Sequence, residues 1–180
     1  GTFDAALVKV EDGILTVFDT EGDNYLGGKN LDEAVVNKIL MPSLKEDYAL
    51  SSYETTEWKK KALIDALKGP AEEMRIALSF ADSADYSTYD RNLNLGQDDN
   101  GEEIDLEITI TKDQLIDAVG EQYKKAVGIC KKLLERNGLT GKDLSSLILV
   151  GGPTYSPIIR DMLKAEITPN VDTSINPMTA

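Results

Sequence analysis

Apolar and polar positions along the chain fall into several distinct periods. Residues 2–10 alternate loosely and are rich in strand formers, Glu11-Asp12-Gly13 supplies a turn, and residues 14–18 resume the strand pattern, which predicts a β-hairpin. Leu31, Ala34, Val35 and Ile39 recur at helical spacing, with Asn30 the expected cap and Glu33 completing a capping-box-like pair. Residues 51–78 read as helix with a break at Gly69-Pro70. Polar alternation with Tyr86, Tyr89, Leu93 and Leu95 predicts a hairpin within 80–95. Gln97-Asp98-Asp99-Asn100-Gly101 reads as a turn that lacks the full calcium-loop spacing, and Ile104, Leu106, Ile108 and Ile110 alternate as a further strand. Thr111 caps a long helix whose stripe is Leu115, Val119, Tyr123, Ala126, Cys130 and Leu133, and Asn137-Gly138 stops it.

The chain is organised around Leu147-Ile148-Leu149-Val150-Gly151-Gly152-Pro153-Thr154-Tyr155-Ser156-Pro157. Its apolar run has no polar side, so it reads as a strand buried on both faces of a parallel or mixed sheet. Ser156 suits an N-cap and Pro157 the first helical turn, ahead of Ile158, Ile159, Met162 and Leu163. Strand, Gly-Gly turn and helix start gather free backbone N–H groups, as a phosphate cradle requires; the same residues also suit a simple strand-to-helix turn. A second Gly-Gly pair, Gly27-Gly28, likewise precedes a helix start.

Charge and composition narrow the chemistry. A net charge of −13 argues against a nucleic-acid duplex or an anionic membrane as partner. One cysteine and no histidine exclude an internal disulfide, nearly exclude a zinc site and remove histidine acid–base catalysis. The single Cys130 fits a reducing, cytoplasmic compartment. No apolar run reaches membrane-spanning length and no signal peptide is evident. Thr140-Gly141-Lys142-Asp143 resembles a P-loop end but precedes a strand, and is set aside. The chain opens inside a motif without an initiator Met, so it is expected to be a piece of something longer.

Two further groupings carry candidate chemistry. Gly1-Thr2-Phe3-Asp4 sets a hydroxyl and a carboxylate beside glycine at a strand start, a grouping able to hold phosphate oxygens and a hydrated Mg2+, or simply a polar strand end. Glu72, Arg75, Ile76 and Ser79 cluster on one helix face, able to hold a ribose and base or to form a solvated face with an i,i+3 ion pair.

Taken in order, GTFD, YLGGKNLDE, AEEMRIALS, LILVGGPTYSP and SINPMTA resemble the seventy-kilodalton heat-shock chaperones of the DnaK type, and they span the whole chain. The resemblance implies an α/β fold: a lobe of an actin-like, ribonuclease H-like ATPase with a mixed sheet and flanking helices, plus an inserted smaller α+β subdomain. It places the core at 1–26 and 111–180 and the insertion at 27–110. Gly1 and Thr2 then resemble the second phosphate loop, and Asp4 the acid near Mg2+ and the attacking water, with the metal held through nucleotide and water. Gly27 and Gly28 join the nucleotide-binding set. Glu72, Arg75, Ile76 and Ser79 resemble the helix that holds the adenosine, and Gly151, Gly152, Pro153 and Tyr155 the adenosine loop. Arg75 stands where the family usually has Lys, Pro153 for a serine, Tyr155 for an arginine, Lys29 for an acid and Met178 for an aspartate.

The implied cofactor is ATP or ADP with Mg2+. The implied partners are the N-terminal lobe and peptide-binding domain of the same chain, a J-domain co-chaperone, and a nucleotide exchange factor at the inserted subdomain. The chain alone is expected to lack ATPase turnover. The rival readings are a nucleotide-independent docking module and a sugar-kinase lobe of the actin superfamily.

Overall fold

The computed structural model describes residues 3–23, 27–149 and 156–172. The chain divides into two compact units, residues 1–30 with 120–180, and residues 31–119.

In the first unit the expected hairpin forms, with β1 (Phe3–Glu11) antiparallel to β2 (Ile14–Asp23). Asp12 and Gly13 both take positive φ (51° and 76°), the tight turn whose twist suits a two-residue hairpin loop. The register slips between Leu7 and Val8, so Phe18 is the extra residue of a bulge. Leu7 packs with Leu133 and Leu134 near the end of α5 (Lys112–Arg136), joined by Ala5, Leu139, Leu144 and Ile167. Arg136 fastens that helix end to β2, donating to Asp19 Oδ2 at 2.8 Å, Glu21 Oε2 at 2.6 Å and the Thr20 carbonyl at 3.0 Å. α5 stops where Gly138 takes φ 68° and Leu139 N–H bonds back to the Leu134 carbonyl at 2.9 Å, as Asn137-Gly138 implies. A 3-10 turn, Gly141–Asp143, with Thr140 and Asp143 in a reciprocal capping box, leads to β5 (Leu147–Ile148).

β5 pairs in parallel with β6 (Val171–Asp172), and α6 (Pro157–Glu166) lies between them in sequence. The parallel pairing agrees with the sequence reading, but burial on both faces does not: Leu149 is buried while Ile148 is 51 % exposed. Ser156 caps α6, its Oγ accepting from Ile158 N–H at 3.3 Å, with Pro157 first in the helix.

α1 (Gly28–Val35) starts in the first unit and enters the second at Leu31, running through a π-helical turn at Val36–Leu40 into α2 (Met41–Asp47). Asn30 is not the cap. The helix starts earlier, Gly27 takes the cap position, and Asn30 reaches back from the third helical residue to accept from Gly27 N–H at 3.1 Å. Glu33 instead faces Lys68 at 3.7 Å.

α3 (Ser51–Thr55) and α4 (Glu57–Ala77) follow, and here too the expectation fails. The break falls at Thr56, and α4 runs unbroken through Gly69-Pro70. Burial of Leu63, Leu67, Pro70, Ala71 and Met74 along one side holds the helix together across the missing Pro70 N–H.

The predicted hairpin within 80–95 is also corrected. β3 (Ser83–Ser87) pairs antiparallel with β4 (Glu107–Thr111), with residues 88–106 as an excursion between them. The strand read from Ile104 onward is therefore ladder only from Glu107, although Ile104 and Leu106 are buried. The 97–101 turn is built on Asp98, whose Oδ1 accepts from Asn100 and Glu102 N–H, each at 2.9 Å, and whose Oδ2 accepts from Ala49 N–H at 3.1 Å. Thr111 caps α5 as expected, its Oγ1 accepting from Gln114 N–H at 3.2 Å. Cys130 is largely buried, and burial pushes its thiol up to about 11, which makes it inert.

Candidate functional site

The end of α4 carries the most developed cluster of candidate side chains. Met74 and Leu78 bury one side, which turns Glu72 and Ile76 outward and leaves Arg75 half-buried at the edge. The helix finishes at Ala77, and Ser79 lies in the turn beyond, its Oγ donating to the Arg75 carbonyl at 3.3 Å. Glu72, Arg75, Ile76 and Ser79 thus occupy one short stretch of surface, within which Ile76 is 48 % exposed.

Arg75 does not pair with Glu72, as an i,i+3 arrangement would have it. Its Nε–H donates to Asp32 Oδ1 on α1 at 2.7 Å, and the two side chains are only 11 % and 10 % exposed. Burial raises the Asp32 carboxyl above its ordinary value; Arg75 opposes that shift, and the nearby Glu72 charge adds to it. Glu72 itself is exposed and makes no salt bridge among the described residues. Its neighbour Glu73 is engaged elsewhere, in a two-pronged contact with Arg91 at 2.7 and 3.2 Å. Asp32 is the residue that sequence reasoning missed. It stands in the quoted YLGGKNLDE stretch, but nothing in its spacing marks it as the partner of a residue far along the chain.

The donor set suits a nucleoside. An unengaged carboxylate can accept from ribose hydroxyls, an exposed aliphatic side chain can lie against a flat base, and a fixed guanidinium offers its remaining N–H groups.

Asp4 is exposed on β1, opposite Gly22 in the ladder, and a side chain at Gly22 would run into the Asp4 carboxylate. Gly27 supplies the cap of α1, and Gly28 its first residue. Gly1, Thr2, Gly151, Gly152, Pro153 and Tyr155 lie outside the described residues, as do Val150 and Met178. The described flanks of the 151–155 stretch are Leu149, buried at the end of β5, and Ser156, the buried cap of α6. Among the described residues, no group of three or more acidic, cysteine or histidine side chains is arranged to hold a metal ion directly.

A family model described as Hsp70 protein matches residues 1–180. The chain belongs to the Hsp70 family. Hsp70 proteins are chaperones that bind ATP or ADP, typically with Mg2+, on an actin-like ATPase fold, and they work with co-chaperone partners. The α/β content of this Hsp70 chain, helices with small sheets, agrees with that fold. Among its described residues no helix is long and apolar enough to cross a membrane.

Proposed function

We propose that this chain is the second lobe of the nucleotide-binding domain of a DnaK-type Hsp70, supplying the adenosine side and part of the phosphate side of its ATP site. The observation that carries the reading is the α4 face: a Glu72 carboxylate without a salt bridge among the described residues, an exposed Ile76 and an Arg75 fixed by Asp32, one helical turn apart. In this reading the core is 1–26 with 111–180, the insertion is 27–110, and the protein is cytoplasmic.

Glu72 and Arg75 hold the ribose, Ile76 borders the base, and Ser79 closes the end of the face. Gly151, Gly152, Pro153 and Tyr155 border the nucleotide from the adenosine loop. Gly1, Thr2 and Gly28 offer backbone N–H groups to phosphate oxygens, with the Thr2 hydroxyl beside them, and Gly27, whose N–H is held by Asn30, lets the backbone approach the nucleotide without a side chain. Asp4 orients the attacking water and the water shell of Mg2+, so electrostatics and positioning supply most of the rate. The N-terminal lobe completes the cleft and the peptide-binding domain responds to its closure. A J-domain co-chaperone stimulates hydrolysis, and an exchange factor acts on the insertion. Alone, the chain is expected to bind adenine nucleotide weakly and to show negligible turnover.

A second reading, a docking module that binds no nucleotide, draws on one observation: the Arg75 Nε–H is already committed to Asp32. Calorimetric titration of ADP into the chain and into Glu72→Ala separates the two. Loss of one hydrogen bond to a charged group is expected to weaken ADP roughly tenfold. Equal affinity in both chains, or none in either, sinks the adenosine-face reading.

A further inference from the structure

Phe80 is the most exposed large apolar side chain among the described residues, at 82 %. It stands just past α4, in a turn that continues the helix. Ser79 N–H bonds to the Ile76 carbonyl and Phe80 N–H to the Ala77 carbonyl, each at 3.1 Å. With about 100° per helical residue and about 120° in this tighter last turn, Phe80 comes roughly 40–80° from Ile76 around the axis. Glu72, Ser79 and Arg75 fall on the other side of Ile76, and the buried Met74 and Leu78 fall behind. Ala77, one turn before Phe80, has only a methyl group with which to cover the ring.

The surface at the end of α4 is therefore divided. One side offers a carboxylate, a guanidinium and a hydroxyl. The other offers the exposed Ile76 chain and, about 6 Å further along the axis, an exposed phenyl ring. A nucleoside is divided in the same way, into a hydroxylated sugar and a flat base. Ile76 alone gives a base one narrow contact, whereas a ring beside it adds a face on which the base can stack. Such stacking does not depend on the hydrogen-bonding groups that the base carries. It does depend on ring area, which favours a bicyclic purine over a monocyclic pyrimidine.

We propose that Phe80 stacks on the nucleobase and supplies the preference of this face for purines over pyrimidines. The inference rests on the adenosine-face reading and adds a residue to it, one that is not among those the family resemblance implies. Having neither donor nor acceptor, the ring leaves adenine and guanine undistinguished.

The test uses the chain isotope-labelled at its three phenylalanine rings, with the Phe80 signals assigned by their absence in Phe80→Ala. The probes are ADP, UDP and ribose 5-phosphate, each with Mg2+ at millimolar concentration. The Phe80 ring signals are expected to shift saturably with ADP, less with UDP, and not with ribose 5-phosphate. Phe80→Ala should weaken ADP roughly tenfold and bring it close to UDP, with Phe80→Leu, which keeps an apolar contact but no ring, in between. Glu72→Ala, which acts on the sugar, should weaken ADP and UDP by the same factor. Should Phe80→Ala fail to keep the parent circular dichroism, Phe80→Leu carries the comparison. ADP binding that falls in Glu72→Ala and not in Phe80→Ala would overturn the role of Phe80 and leave the adenosine face standing. Equal losses for ADP and UDP in Phe80→Ala would also overturn it, because a merely structural ring is blind to the base. No ADP binding by the parent chain would overturn both readings together.

Discussion

Arg75 donates to Asp32 across 2.7 Å, and this buried pair ties α4 to α1. Removing one member leaves an uncompensated charge in a site with little water. Asp32→Ala is therefore expected to destabilise the fold by about 3 kcal/mol. Asp32→Asn, which still offers a carbonyl oxygen to Nε, is expected to cost less. Urea unfolding of the three chains checks the order, and a cost near zero for Asp32→Ala would show the pair to be solvated.

Acid should weaken the first unit through Asp19. Hydrogen bonds from Arg136 and Asn137 hold its carboxyl down at about 2, against an ordinary 3.8. The folded form thus favours the carboxylate: the stabilisation is full above 3.8 and is lost as pH falls through about 2. Asp32 works in the opposite sense, because its raised value means that the fold disfavours its charge and loses stability as pH rises through that value. Urea midpoints stepped through the acid range should fall less steeply in Asp19→Asn than in the parent. Identical slopes would remove Asp19 from the account.

Two glycines should respond oppositely to alanine. Gly69 sits inside α4 with open space where a Cβ would stand, so Gly69→Ala is expected to stabilise by roughly 0.5–1 kcal/mol. A Cβ on Gly141 would overlap the Ile167 carbonyl, so Gly141→Ala is expected to cost about 2 kcal/mol or more. Thermal melts of both variants test the pair, and a destabilising Gly69→Ala would mean that α4 does break there.

Local patterns carried much of the fold into the sequence. The hairpin turn at Asp12-Gly13, the Ser156-Pro157 helix start and the Thr111 cap all follow from side-chain chemistry within a few residues, and each is found. The misreadings share a cause: each needed information from a distant element. Gly69-Pro70 reads as a break until one sees that Leu63, Leu67 and Met74 bury a continuous side. The alternation in 80–95 looks self-paired, yet the partner of β3 is β4, beyond the Asp98 turn. The α4 face was legible from its 3.6-residue period, whereas Asp32 was not, because ion pairs between separate helices leave no period.

The most direct test of the adenosine site is an amide NMR titration of the chain with ADP and Mg2+ at millimolar nucleotide. The expected result is a set of saturable shifts centred on Glu72, Arg75, Ile76 and Ser79, with the exposed start of α4 around Trp58 unmoved. Shifts absent throughout, or confined to surfaces away from Glu72 and Arg75, would contradict the account.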